Sequence, residues 1–145
     1  MNYENIPIRV AILDMYEGAE NQGMRCLREI LNQFAEIHSR ELIRDEFNVR
    51  QLTELPDLSY DIYICSGGPG SPLDSEGSLW ENAFFSWIKQ AEAFNNAEEN
   101  IIKKQVFFIC HSFQLACRYF DIAEVSQRKS TAFMSKSPRE RSTGP

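Results

Sequence analysis

Between Gln105 and Phe120 the chain passes from a near-continuous apolar run, Gln105 to Cys110, directly into helical spacing carried by Leu115 and Tyr119. A run of that kind predicts a strand buried on both faces, the situation of a parallel sheet flanked by helices. The same alternation occurs upstream. Ile8 to Leu13 is short, apolar and β-rich, and it ends at Asp14 and the loop Tyr16-Glu17-Gly18, which predicts a strand and a turn. Met24, Leu27, Ile30, Leu31 and Phe34 then recur at three- and four-residue spacing, on one face of a helix from about Asn21 to Ile37. Phe47 to Leu52 alternates weakly and reads as the next strand. Pro56 and Asp57 punctuate, and Tyr60 to Cys65 is a third strand running into Ser66-Gly67-Gly68-Pro69-Gly70-Ser71-Pro72, a loop by its glycine and proline content.

Ser78-Leu79-Trp80-Glu81 has the form of a capping box, in which serine and glutamate satisfy each other's orphan amides at a helix start. Trp80, Phe84, Trp87, Ala91 and Phe94 give that helix an apolar stripe, read as core, and the polar stretch from Asn95 to Asn100 closes it. Strands alternating with helices predict an α/β fold with a three-layer parallel-sheet sandwich. At 145 residues and 43% apolar content the chain can bury one core. Residues 1–130 are therefore read as one domain. Residues 131–145, polar and without apolar period from Ser135 to Pro145, are expected to form a disordered tail.

The net charge of −6 leaves no basic stripe for a nucleic-acid backbone. No apolar run is long enough to span a bilayer, and Met1 to Pro7 lacks a leader pattern, so a cytoplasmic protein is expected. Cys26, Cys65, Cys110 and Cys117 are spaced 39, 45 and 7 residues apart, which matches neither a disulfide scaffold nor metal-binding knuckles. Reduced thiols are expected, and no metal or cofactor is called for. Cys26 and Cys117, both within helices, read as packing thiols.

Phe108-Ile109-Cys110-His111-Ser112-Phe113-Gln114 places a cysteine at the sharp junction of a strand and a helix, the setting of a nucleophile elbow. The thiol then projects at the carboxyl edge of the sheet, and the helix N-terminus favours thiolate over thiol. The His111 amide points to where an oxyanion would form on attack at a carbonyl. The alternative is a buried structural thiol, since free cysteine is often interior. A second glycine-rich turn, Gly67 to Gly70, favours a site, because it brings further amides to the same edge. It lacks the Gly-Lys-Ser/Thr ending of a phosphate-binding loop.

With Ser66-Gly67-Gly68-Pro69-Gly70-Ser71-Pro72 and, 38 residues on, Cys110-His111-Ser112-Phe113-Gln114, the chain resembles a class I glutamine amidotransferase, specifically a GMP synthase-like glutamine amidotransferase domain, from Ile8 to Lys129. The resemblance implies a flavodoxin-like, class I amidotransferase-like sandwich that is C-terminally incomplete. It implies glutamine as substrate, attacked by Cys110 to form a thioester and release ammonia. Gly68 and His111 would supply oxyanion-hole amides, and Gln114 and Gly67 would help hold glutamine. Ammonia would pass to an acceptor, such as a separate synthetase. The family elbow reads Gly-x-Cys-x-Gly-x-Gln, and side chains at Phe108 and Ser112 are expected to crowd or strain it. The family's downstream His-x-Glu pair has no counterpart, since the histidines here are His38 and His111. Slow or absent turnover is expected. In protease- and deglycase-like proteins of the same superfamily the histidine directly follows the cysteine, as in Cys110-His111, with an acid near the first strand where Glu17 stands. That hydrolase and a non-catalytic binding module are the alternatives. A sheet lacking its later strands would expose residues Val106 to Ile109, which predicts self-association.

Overall fold

The computed structural model describes residues 6–18 and 20–126. The expected tail at 131–145 lies outside them. Four strands, β1 (Ile8–Asp14), β2 (Leu42–Asn48), β3 (Ile62–Cys65) and β4 (Gln105–Phe108), pair in the order β2-β1-β3-β4, and every pair is parallel. The helices are α1 (Gln22–Ile37), α2 (Val49–Leu52), α3 (Leu79–Asn96) and α4 (His111–Phe120). The α/β class, the parallel sheet and the three layers expected from the sequence are present, in the strand order of flavodoxin-like folds.

Period-two alternation explains the layers. Along β1, Val10 and Ile12 point to the side covered by Met24 and Leu31 of α1, with Ile62 and Ile64 of β3 beside them. Ala11 and Leu13 point the other way, into a larger core with Tyr63, Cys65, Val49 of α2, Phe84, Trp87, Ile88 and Ala91 of α3, and Leu115 of α4. Burial on both faces makes β1 apolar without interruption. Caps set the helix starts: the Asn21 side chain accepts from the Met24 amide at 2.7 Å, and the Ser78 hydroxyl from the Glu81 amide at 3.3 Å.

Four expectations need correction. The second strand is Leu42–Asn48, and Val49–Leu52 is a single helical turn capped by Asn48. Charge conceals this strand: on the α1 side of β2, Arg44 and Glu46 meet Arg28 and Asn32 of α1 through hydrogen bonds and ion pairs in place of apolar contact. The α1 stripe is only half buried, with Ile30 and Phe34 exposed beyond the sheet that α1 covers. The Gln105 to Cys110 strand is an edge, not a doubly buried strand: Val106 and Phe108 join the α3 core, while Phe107 and Ile109 on the opposite face are exposed. Cys26 is exposed, as a residue about 200° around the helix from Met24 must be. No helix among the described residues is long and apolar enough to cross a membrane.

Candidate active site

The pairing register brings the chemistry together. Leu13 of β1 is level with Cys65 of β3, and Cys65 with Phe108 of β4. Tyr16, Gly67 and Cys110, three, two and two residues further on, therefore emerge at one carboxyl edge. The connections from β1 and β3 run in opposite directions there, and open α/β sheets form their ligand crevices at such a reversal.

Cys110 is exposed and caps α4 with φ 50° and ψ −102°, a backbone conformation that residues with a Cβ rarely adopt. This is the sharp strand-to-helix elbow expected from the sequence. Ser112 and Phe108 do not crowd it. The fully buried Ser112 hydroxyl accepts from the Ile109 amide at 2.8 Å and lies 2.7 Å from the Cys65 carbonyl, to which it donates, tying the elbow to the end of β3. Phe108 turns away into the core, edge-on to Phe84. Ser112 thus acts as a clamp.

The glycine loop lies against the elbow. A Cβ built on Gly67 would sit 3.6 Å from the Cys110 Cβ, ordinary contact distance, whereas one built on Gly68 would meet the Met15 carbonyl oxygen at 2.5 Å, an approach that only glycine permits. Ser66 fixes that approach: its hydroxyl accepts from the Met15 amide and donates to the Gly67 carbonyl, both at 2.8 Å. Among the described residues neither the Gly68 amide nor the His111 amide donates a hydrogen bond. Two amides without protein partners thus lie at this edge, one in each strand-following loop. Gln114 is exposed in the first turn of α4, and its amide donates to the Cys110 carbonyl at 3.0 Å, which places it one turn from the thiol.

Neither histidine hydrogen-bonds the Cys110 thiol among the described residues. The His111 ring is buried, and neither of its nitrogens makes a hydrogen bond among the described residues. Burial first, then the Arg50 guanidinium, lowers its pKa; the Gly70 backbone and the carboxylates of Glu81 and Asp74 oppose this more weakly without completing a hydrogen bond. His38 caps the far end of α1 and packs on Phe34. Glu17 is held by Arg50 at 2.8 Å. Cys65 is fully buried, which raises its thiol pKa and leaves it unreactive, and Cys117 is buried in α4. No group of His, Cys, Asp and Glu able to hold a metal occurs among the described residues.

Three contributors escape a reading of the sequence. Burial holds the Asp14 carboxyl above the usual carboxylate range, and it accepts from the Tyr16 amide at 2.8 Å, turning the chain after β1. Arg50 donates to the carbonyls of Met15 and Pro69, at 3.3 and 2.7 Å, and joins that turn to the glycine loop. Arg118 of α4 binds the buried Glu81 of α3 through both nitrogens and donates to the Pro72 carbonyl. An acid at the end of an apolar strand is the available signal for Asp14; nothing local marks Arg50 or Arg118.

No protein-family model matches this sequence, and no curated protein does. Among solved structures the chain is similar to the crystal structure of SMU.1228c, at 20% identity, with a TM-score of 0.47. The similarity covers 78% of this chain and 43% of that protein, so the chain spans less than half the length of its structural neighbour.

Proposed function

We propose that the chain is a glutamine amidotransferase-like protein whose Cys110 attacks the side-chain amide of glutamine. The Cys110 sulfur forms a bond to the carboxamide carbon, and the carbonyl oxygen takes the negative charge between the amides of Gly68 and His111. Collapse breaks the carbon–nitrogen bond, the nitrogen leaves with the proton that the thiol gave up, and a glutamyl thioester and ammonia result. Water then cleaves the thioester to glutamate and restores the thiol. The observation that carries this reading is the strained, exposed Cys110 lying against Gly67 with two unused amides beside it.

Proton transfer is the weak step. With no imidazole bonded to Cys110 among the described residues, turnover is slow, because loss of one member of a catalytic set costs orders of magnitude in rate. The same observation favours a second reading, a binding module that keeps the glutamine site without turning over. The hydrolase reading built on Cys110 and His111 lacks support from the His111 ring, which is buried and not bonded to the thiol. On the amidotransferase reading ammonia passes to a separate synthetase, and the exposed β4 edge meets a second copy. That edge, Gln105-Val106-Phe107-Phe108, has no charge, so two copies can pair there without like-charge repulsion.

A chloroketone analogue of glutamine tests the central claim. Cys26 is an exposed thiol outside the site and serves as the internal control. Labelling of Cys110 well ahead of Cys26, followed by peptide mass spectrometry and suppressed by glutamine, supports the proposal. Equal, slow labelling of the two thiols would sink it.

A further inference from the structure

Tyr16 crosses the carboxyl edge of the sheet from β1 toward Cys110. A Cβ on Gly67 would lie 3.3 Å from the Tyr16 hydroxyl oxygen and 3.6 Å from the Cys110 Cβ, so the phenol and the cysteine border the same small space. A Cβ on Gly23, in the first turn of α1, would collide with that oxygen. Two glycines from different elements thus form the notch that admits the phenol. The turn that carries it is held by Asp14 at the Tyr16 amide, by Ser66 at the Met15 amide and by Arg50 at the Met15 carbonyl. Yet the hydroxyl has no hydrogen-bond partner among the described residues. A polar group aimed beside a nucleophile, on a pinned turn and without an internal partner, is arranged for a ligand.

We propose that Tyr16 is a substrate-positioning residue, its hydroxyl meeting the carboxamide nitrogen of a glutamine whose oxygen faces the amides of Gly68 and His111. This rests on the amidotransferase reading and adds to it the group that orients the amide. A carboxamide presents an acceptor on one side and N–H donors on the other. The two backbone amides satisfy the oxygen, and a phenol oxygen accepts an N–H, which fixes the orientation in which the carbon faces sulfur. The contact contains no proton transfer.

The test uses the full chain and methyl methanethiosulfonate, a small thiol reagent, with modification of Cys110 and Cys26 read separately by peptide mass spectrometry. L-Glutamine is expected to protect Cys110 and not Cys26. Tyr16→Phe keeps the ring in its notch and should raise the glutamine concentration for half-protection roughly fivefold, the effect of one neutral hydrogen bond. Gly23→Ala, which lies on α1 and displaces the phenol, should shift half-protection in the same direction. Unchanged half-protection in Tyr16→Phe overturns the Tyr16 assignment alone. Failure of glutamine to protect Cys110 in the unaltered chain overturns the glutamine site itself, and this assignment with it.

Discussion

Removing Glu81 should destabilise the fold, because its carboxylate is buried in α3 with partners from two other segments. It takes 2.9 and 3.1 Å bonds from Arg118 and a 2.5 Å bond from the Ser75 hydroxyl. The Arg118 side chain is 15% exposed and also donates to the Pro72 carbonyl at 2.6 Å. Glu81→Ala strands that guanidinium in a largely dry site. Breaking a buried pair from one side costs about 3–5 kcal/mol. Glu76, 3.8 Å from Arg118 and mostly exposed, remains as a weak substitute, so the low end, about 3 kcal/mol, is expected. With a urea slope of about 1.5 kcal/mol per molar, the unfolding midpoint should fall by about 2 M, followed by fluorescence of the buried Trp87. Taking both charges out together, as Glu81→Leu with Arg118→Met, should return the stability to within about 1 kcal/mol of the parent, since a buried pair costs desolvation to assemble. A loss below about 1 kcal/mol for Glu81→Ala, or a double variant as poor as the sum of the singles, would refute this account of the α3–α4 contact.

Two further outcomes can be measured with the same protein. His111 is held neutral by burial and by Arg50, so its folded pKa lies below the unfolded value of 6.5. The unfolded chain therefore binds more protons as pH falls through 6.5, and stability present above that pH is lost progressively down to the depressed folded pKa. Melting temperature should drop on acidification from neutral pH, and His111→Gln should lessen the drop; an unaltered pH profile in the variant would contradict the assignment. Self-association at the β4 edge should appear in size-exclusion chromatography with light scattering and be reduced by Phe107→Lys, which puts a charge on the exposed face of the strand. A monomer at high protein concentration in the unaltered chain would remove that proposal.

Signals that lie within one stretch of chain are legible in the sequence. β1, α1 and the Cys110 elbow follow from apolar period and from a strand running into a helix without a linker. Signals that depend on a distant partner are not. β2 looks polar because Arg44 and Glu46 find their partners on α1, and Val49–Leu52 looks strand-like because a four-residue helix is too short to show a helical period. The Ser78 box forms only in half: the serine caps, but the Glu81 side chain turns from the cap to Arg118, 37 residues away, where a buried cation outcompetes a surface amide.

The candidate site divides along the same line, which bears on how its parts depend on one another. Cys110, Gly67 and Gly68 announce themselves locally, the cysteine by its place between a strand and a helix and the glycines by the Gly-Gly-Pro-Gly run that follows a strand. What holds them together is long-range: Ser112 reaches the Cys65 carbonyl, Ser66 reaches Met15, and Arg50 reaches Pro69. In Ser112→Ala the Ile109 amide and Cys65 carbonyl would still bond each other at 3.0 Å, so no group is orphaned and the loss is small, about 1 kcal/mol. Its consequence for chemistry should be larger than for stability. The elbow conformation at Cys110 is unfavourable in isolation and persists only while its surroundings impose it, so loosening the clamp relaxes the cysteine before it unfolds the sheet.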